Sequence, residues 1–432
     1  MRQEEFQCEI MPKITKVYAR QVLDSRGNPT VCAHVVLDNG IEASAIAPSG
    51  ASTGKLEAVE LRDNKKEFLG KGVLHAVRNV NGAISSAIKG IEIENQEEID
   101  TAIIDADGTS NKAKLGANAT TAVSMACLHA HSKTSGKGIY KILGGHILPV
   151  PFMNVINGGK HAGSGLAVQE LMLAPLGFKT FSNALIAGVE VYQTLKGIIK
   201  KQYGPSGINV GDEGGFAPMI GKTRDALNLL EEAVDEAGYK KNVKFASDPA
   251  ASEFYDEKTK KYKIDDGELD DAGLRDYWVE LTGEYPIVSL EDPFAEHDFY
   301  SFAKLREKIG SNCQIVGDDL TVTSLKLVKK AKKERAINTL LLKVNQIGTV
   351  SEAIEAAQYC LAHKMGVMVS HRSGESEDTT IADLTVGINA GQIKTGAPCR
   401  AERTAKYNRL LEIEMKLKEE GKYLGEKALV RY

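Results

Sequence analysis

Aromatic residues are only 6% of this 432-residue chain, and no uninterrupted apolar run approaches the ~20 residues of a membrane span. A formal net charge of −4 supplies no basic field for nucleic acid, and no acidic tail marks a disordered partner segment. The six cysteines (Cys8, Cys32, Cys127, Cys313, Cys360 and Cys399) contain no CxxC pair, which excludes a zinc framework and predicts reduced thiols. Cys127, Cys313 and Cys360 fall in apolar patterns and are expected in the core. The segment MRQEEFQCEIMPKITKVYAR has glutamates where a signal peptide needs a positive start and an apolar centre, so a cytoplasmic location is expected. The loop APSGASTG lacks the GxxxxGK[ST] order, leaving a nucleotide-phosphate loop unsupported. What remains, with 26% charged residues, is an ordinary soluble protein acting on a small ligand.

The length exceeds the ~250–300 residues at which single cores usually stop growing and predicts two domains. Residues 1–145 form the first, with 1–10 an extension ahead of Met11-Pro12, and residues 146–432 the second. KVYARQVL, PTVCAHVVLD and IEASAIAP alternate as strands, with a hairpin at Asp38-Asn39-Gly40. Helical spacing follows over 55–68, 72–88, 96–104 and 114–135, so the first domain reads as compact α+β.

From about residue 243 one pattern repeats: an apolar, β-branched run stops at a charged residue, and a loop and helix follow. The runs reach Asp248, Glu291, Asp318, Lys343, His371 and Lys394, at intervals of 43, 27, 25, 28 and 23 residues. A (β/α)₈ barrel of ~250 residues allots roughly 30 to each unit and carries its chemistry at the C-terminal strand ends. The spacing therefore predicts one barrel with these residues at a single mouth, ringed by helices over 181–201, 224–237, 298–309, 324–332, 350–363 and 378–390. EKTKKYKIDDGELD reads as a surface hairpin and KKAKKER as an exposed helix end.

Asp248, Glu291 and Asp318 offer only hard oxygens, which favours magnesium over zinc and leaves room for a ligand on the metal. Any one acid is more often a loop cap; three in register are less easily explained that way. Lys343 lies in TLLLKV, where burial and the cations Lys394 and Arg372 would favour its neutral form and make it a usable base. A barrel lysine that merely neutralises the acids is an equal reading from that residue alone. Gln169-Glu170 ends LAVQE, and Glu213 sits in the Gly-rich turn NVGDEGGFAP. Ala47–Gly54 suits a lid that excludes water.

DSRGNPTV, PSGASTG, NKAKLGANA, NVGDEGGFAP, LEDPFAE, GDDLTVT, LLLKVNQIGT, SHRSGESEDTTIADL and GQIKTGAPCRAER together resemble the enolase family, across both domains. The resemblance implies a modified (β/α)₈ TIM-like barrel preceded by a smaller N-terminal α+β capping domain. It also implies magnesium-dependent, reversible dehydration of 2-phosphoglycerate to phosphoenolpyruvate, two Mg²⁺ per active site, and a homodimer or higher homo-oligomer. On the matching positions, Asp248, Glu291 and Asp318 would hold the first ion and Ser49 would help hold the second. Lys343 would abstract the α proton, and Glu213 with Glu170 would protonate the departing hydroxyl. His371 would join this catalytic group, with His161, Gln169, Glu170, Arg372, Ser373 and Lys394 contacting substrate. A Lys or His base paired with one or two magnesium ions is the pattern of such sites, because the intermediate carries extra negative charge. An epimerase or sugar-acid dehydratase of the wider superfamily, and an inactive scaffold, fit the runs PSGASTG and HRSGE and the intact acid and base less well. Lys160, Ser164, Pro249 and Thr120-Thr121 depart from the family pattern, as do Cys32 and Glu412, where many relatives place an interface Glu–Arg pair.

Overall fold

The computed structural model describes residues 11–432 other than Ser52 and Ser164; the expected extension over 1–10 lies outside the described residues. The chain first forms an antiparallel sheet ordered β1 (Ile14–Leu23), β2 (Pro29–Leu37) and β3 (Glu42–Ile46), as the alternation predicts. Val17, Ala19, Val31, Ala33, Val35, Ala43 and Ala45 are buried. The sheet packs on a helix, Ala117–Ser135, whose Ala, Thr and Ser residues let the two backbones approach closely. With Gln96–Asp107 as α1, this helix is α2, and Gly136 ends it in a left-handed conformation (φ 65°) that favours glycine.

One expected helix is absent. Residues 55–66 carry no helix, and Phe68 and Leu69 sit in a turn at positive φ. The reason is tertiary: Ala58 N–H donates to Gln346 O (2.8 Å) and Val59 N–H to Asn111 O (2.8 Å), so the donors a helix would use are spent on other segments. The expected helix over 72–88 is interrupted by a wider turn at Val80–Ile84.

The second domain closes a barrel of eight strands: β4 (Val150–Asn157), β5 (Glu170–Pro175), β6 (Val243–Asp248), β7 (Ile287–Glu291), β8 (Gln314–Gly317), β9 (Thr339–Leu342), β10 (Gly366–Ser370) and β11 (Gly391–Lys394). Their order around the ring is β7-β8-β9-β10-β11-β4-β5-β6. β5 runs antiparallel to both neighbours while the other pairings are parallel; the resemblance implied a modified barrel without saying which strand departs. Its register sets Glu170 opposite Asn157 and Asp248, so the first residue of β5 lies at the same end as the last residues of β4 and β6.

Inside the ring, Val150, Phe152, Met172, Val316, Leu341 and Met368 pack as one cluster. Burial of each such side chain stabilises the barrel by about 1.5–3 kcal/mol. Outside it lie α3 (Phe181–Tyr203), α4 (Thr223–Glu236), α5 (Asp271–Glu284), α6 (Phe299–Ile309), α7 (Leu325–Lys333), α8 (Val350–Ala362), α9 (Thr380–Gly387) and α10 (Ala401–Leu417). The sequence reading omitted α5 and α10. α5 buries only the narrow stripe Leu274, Trp278 and Leu281, and two glycines interrupt it. Thr180, Asp270, Asp298 and Thr349 cap their helices by accepting from the third backbone N–H onward. The expected hairpin forms from Lys261–Ile264 and Gly267–Leu269. No helix among the described residues is long and apolar enough to cross a membrane.

Candidate active site

Six of the strands deliver a charged residue to one mouth. Asp248, Glu291 and Lys394 end β6, β7 and β11, Asp318 and Lys343 directly follow β8 and β9, and His371 follows β10. Lys394 Nζ lies 2.8 Å from Asp248 Oδ2, 2.8 Å from Glu291 Oε1 and 3.3 Å from Glu170 Oε2. Lys343 Nζ donates to Asp318 Oδ2, and Gln346 Nε2 donates to the other oxygen of that carboxylate at 2.8 Å. The packing is tight enough to leave a cavity of only about 20 Å³, lined also by Gln169, Glu213 and Ser373.

Burial and crowding dominate the electrostatics. Burial, then repulsion from Glu213, pushes the Glu170 carboxyl well above the usual range; burial, then Asp248, does the same to Glu291. For Asp318 burial also acts upward, but the Lys343 contact outweighs it and the pKa falls. The expectation that Lys343 is driven neutral does not hold here. Burial is the largest influence and does lower its pKa, and Arg372 and Lys394 act the same way, but Asp318 and Glu291 together carry it above the ordinary value. The cations near Lys343 were legible in the sequence; the carboxylate in direct contact was not.

Asp292, Asp318 and Asp319 present oxygens within 4.8 Å of one another, a group able to hold a metal ion. This differs from the expected Asp248, Glu291 and Asp318, although Asp318 is common to both. Asp292, at φ 38°, accepts from the backbone N–H groups of Asp318 (2.9 Å) and Asp319 (2.7 Å), so its oxygens are already engaged in holding that loop. Glu291 Oε2 is buried without a hydrogen-bond partner, and Lys394 Nζ sits where three carboxylates converge. An all-oxygen set with an unused buried lone pair, already gathered around a cation, fits Mg²⁺.

On the opposite side, Asn154 of β4 donates from Nδ2 to Glu213 Oε2 (2.9 Å), and His371 Nε2 stands 3.3 Å from the same oxygen. Gly214 carries the turn at φ 84°, and a Cβ there would lie 2.9 Å from Cys399 O. Arg403 Nη1 donates to His371 Nδ1 at 2.7 Å, which puts the ring proton on Nε2, facing Glu213. Burial lowers the His371 pKa to about 4 despite Glu213, so the ring is neutral at pH 7. Arg403 also donates to the carbonyls of Asp212, Arg372 and Ser373, tying both loops together.

Arg372 is gripped by Glu57 of the first domain through two bonds, 2.9 and 3.0 Å, and by Asn345 Oδ1 at 3.0 Å. Ser373 Oγ accepts from Ala51 N–H at 2.6 Å. Ser49 is not brought to the carboxylates: its Oγ donates to Glu60 (3.0 Å) and accepts from Arg26 (3.3 Å) and Arg62 (3.2 Å), while its backbone pairs with Gly374. His161 lies in the turn Gly159–His161, and its side chain lies outside the described residues. Glu57, Asn154, Gln346 and Arg403 were missed as site residues. Gln346 and Arg403 stood inside the runs LLLKVNQIGT and GQIKTGAPCRAER, so the signal was present; Glu57 and Asn154 had none.

Residues 14–143 match the family model described as "Enolase, N-terminal domain", and residues 145–431 match "Enolase, C-terminal TIM barrel domain". The chain is 54% identical over 408 residues to the enolase of Methanocaldococcus jannaschii, covering 94% of this chain and 96% of that one. It is 53% identical over 409 residues to the enolase of Methanopyrus kandleri, covering 94% and 96%, and 51% identical over 415 residues to that of Methanococcus vannielii, covering 95% and 97%. With both domains matched end to end and the barrel mouth assembled from the same runs, this chain belongs to the enolase family.

Proposed function

We propose that this chain is a magnesium-dependent lyase that reversibly dehydrates 2-phosphoglycerate to phosphoenolpyruvate, with Lys343 as general base and Glu213 as general acid. One observation carries the assignment of roles. In the ring order β9 and β5 are four strands apart, so Lys343 and Glu170 face each other across the mouth, with Glu213 beside Glu170. Dehydration needs that opposition: a base takes the proton from C2 on one face while an acid supplies one to the hydroxyl leaving C3 on the other, because hydroxide is a poor leaving group.

Lys343 must give up the proton it shares with Asp318 before it can act as a base. Two magnesium ions, when bound, neutralise the substrate carboxylate and the charge that builds as the proton leaves. Asp248, Glu291 and Asp318 would hold the first, and Ser49, once free of Glu60, would help hold the second. Arg372, Ser373, Lys394, His161 and Gln169 orient phosphate and carboxylate, which for Arg372 means exchanging Glu57 for substrate. His371, neutral and protonated at Nε2, faces the Glu213 carboxyl at 3.3 Å. Glu170, whose raised pKa favours the protonated form, supplies the proton that Glu213 passes on.

We place the enzyme in the cytoplasm as a homodimer or higher homo-oligomer. Glu412 bonds Arg409 (2.7 Å) and Lys416 (2.5 Å) of its own chain, and Cys32 is buried, so the usual interface ion pair is not what joins the copies. The test of the activity is the appearance of phosphoenolpyruvate ultraviolet absorbance from 2-phosphoglycerate, abolished by chelator and restored by magnesium. Full turnover in excess chelator, or none with magnesium, overturns it.

A further inference from the structure

At the other end of the barrel, where the chain enters β9 and β10, lies a second and far larger cavity of about 600 Å³, within the range of small-ligand sites. Arg306, Lys332, Arg335, His363, Lys364 and Arg431 line it, and no acidic residue does. The chain's net negative charge therefore hides a concentrated positive patch.

Helix ends account for part of this. Arg306 lies in the last turn of α6, Lys332 in that of α7, and His363 and Lys364 follow α8, where cations favour the partial negative charge of the dipole. That effect does not explain convergence on one void. Five permanent cations against three helix ends of about half a charge each, with Glu426 lying 3.8 Å from Arg431, still leave the lining net positive. Arg306 is only 8% exposed, donates from Nη1 to Ile337 O (2.9 Å), and stacks 4.8 Å from the Tyr432 ring centroid. Arg335 and Lys364, by contrast, are exposed and stand at positive φ (57° and 61°) in the two helix-to-strand turns. The floor is apolar, made by Ile337, Met365 and Leu429. Glu426 aside, acids line an adjoining cavity that shares Arg306, Arg335 and Tyr432: Glu334, and Glu307, which is bonded to Lys304 (2.9 Å).

We propose that this cavity is a binding site for an oligophosphate anion, whether inorganic tripolyphosphate or the triphosphate of a nucleotide. Exposed cations, Arg335 and Lys364, over one buried guanidinium match a chain of phosphates, since guanidinium groups bind phosphate oxygens in pairs and lysines follow as point charges. The site is remote from the catalytic mouth and independent of the function proposed for it.

Isothermal titration of the full chain with sodium tripolyphosphate and, separately, with ATP, both without magnesium, tests the proposal. Wild type is expected to bind both. The Arg335→Glu/Lys364→Glu variant should bind at least ~10-fold more weakly, the loss of about one charge-assisted contact, while dehydrating 2-phosphoglycerate within twofold of wild type in excess magnesium. Tighter binding of ATP than of tripolyphosphate assigns the apolar floor to the base; equal binding assigns recognition to phosphate alone, and both support the site. If the charge reversal impairs folding, Arg335→Gln/Lys364→Gln reads the same loss. No heat from wild type at millimolar ligand, or equal affinity in wild type and a folded variant, overturns it.

Discussion

The two ends of this barrel handle charge in opposite ways. At the mouth, cations and carboxylates bond each other in a space of about 20 Å³; at the base, cations of one sign line about 600 Å³. Size would point to the base as the place of chemistry, and charge pairing points to the mouth. The difference teaches that size alone does not mark a reaction centre: at the mouth, cations and carboxylates fix one another in place, and at the base they do not. Lys394 among Asp248, Glu291 and Glu170, and Arg372 on Glu57, are such pairings.

The sharpest way to break the comparison is at the mouth. Asp318→Ala removes the carboxylate shared by the expected metal set and the observed acidic cluster, and releases Lys343. Activity should fall by at least ~10²-fold, beyond the ~10–100-fold typical of losing a group that only supports a ligand. Steady-state rates with saturating magnesium check this, and a variant within twofold of wild type would remove Asp318 from the metal site.

A smaller effect comes through pH. His371 titrates near 4 when folded, against 6.5 as its ordinary value, so the unfolded chain binds the extra proton and folding loses stability as pH falls from about 6.5 toward 4. The shift is worth about 3 kcal/mol. The raised carboxyls Glu170 and Glu291 act in the opposite direction, so the measurement is the difference between wild type and His371→Gln in urea unfolding across that window. The wild-type advantage should shrink as pH falls; a constant difference would mean that the imidazole is not held neutral.

The smallest effect belongs to the base. Arg335→Glu with Lys364→Glu should leave kcat and KM for 2-phosphoglycerate within twofold of wild type. A tenfold change in either would couple the two ends and end the contrast between them.

Strand ends were legible because each apolar run stops at a charged residue and the intervals fit one barrel unit. Glu170 was legible as a residue but not as the head of an antiparallel strand, since direction depends on neighbours. Residues 55–68 carry helical spacing, yet their backbone donors go to Gln346 and Asn111, which only the assembled fold reveals. The pairing of Lys343 with Asp318 was hidden for the same reason: proximity across adjacent strands is set by register. Arg403, fully buried, fixes the His371 tautomer from 32 residues away, a separation that no local pattern encodes.

The central claim is that base and acid face each other across the mouth, and deuterium exchange tests it most directly. With metal saturated, NMR follows loss of the C2 proton of 2-phosphoglycerate in deuterated solvent. Glu213→Gln should still exchange that proton while forming little phosphoenolpyruvate, and Lys343→Ala should lose both reactions, each variant dehydrating at least ~10²–10⁴-fold more slowly than wild type. Exchange that survives in Lys343→Ala and vanishes in Glu213→Gln would contradict the account and reverse the two roles.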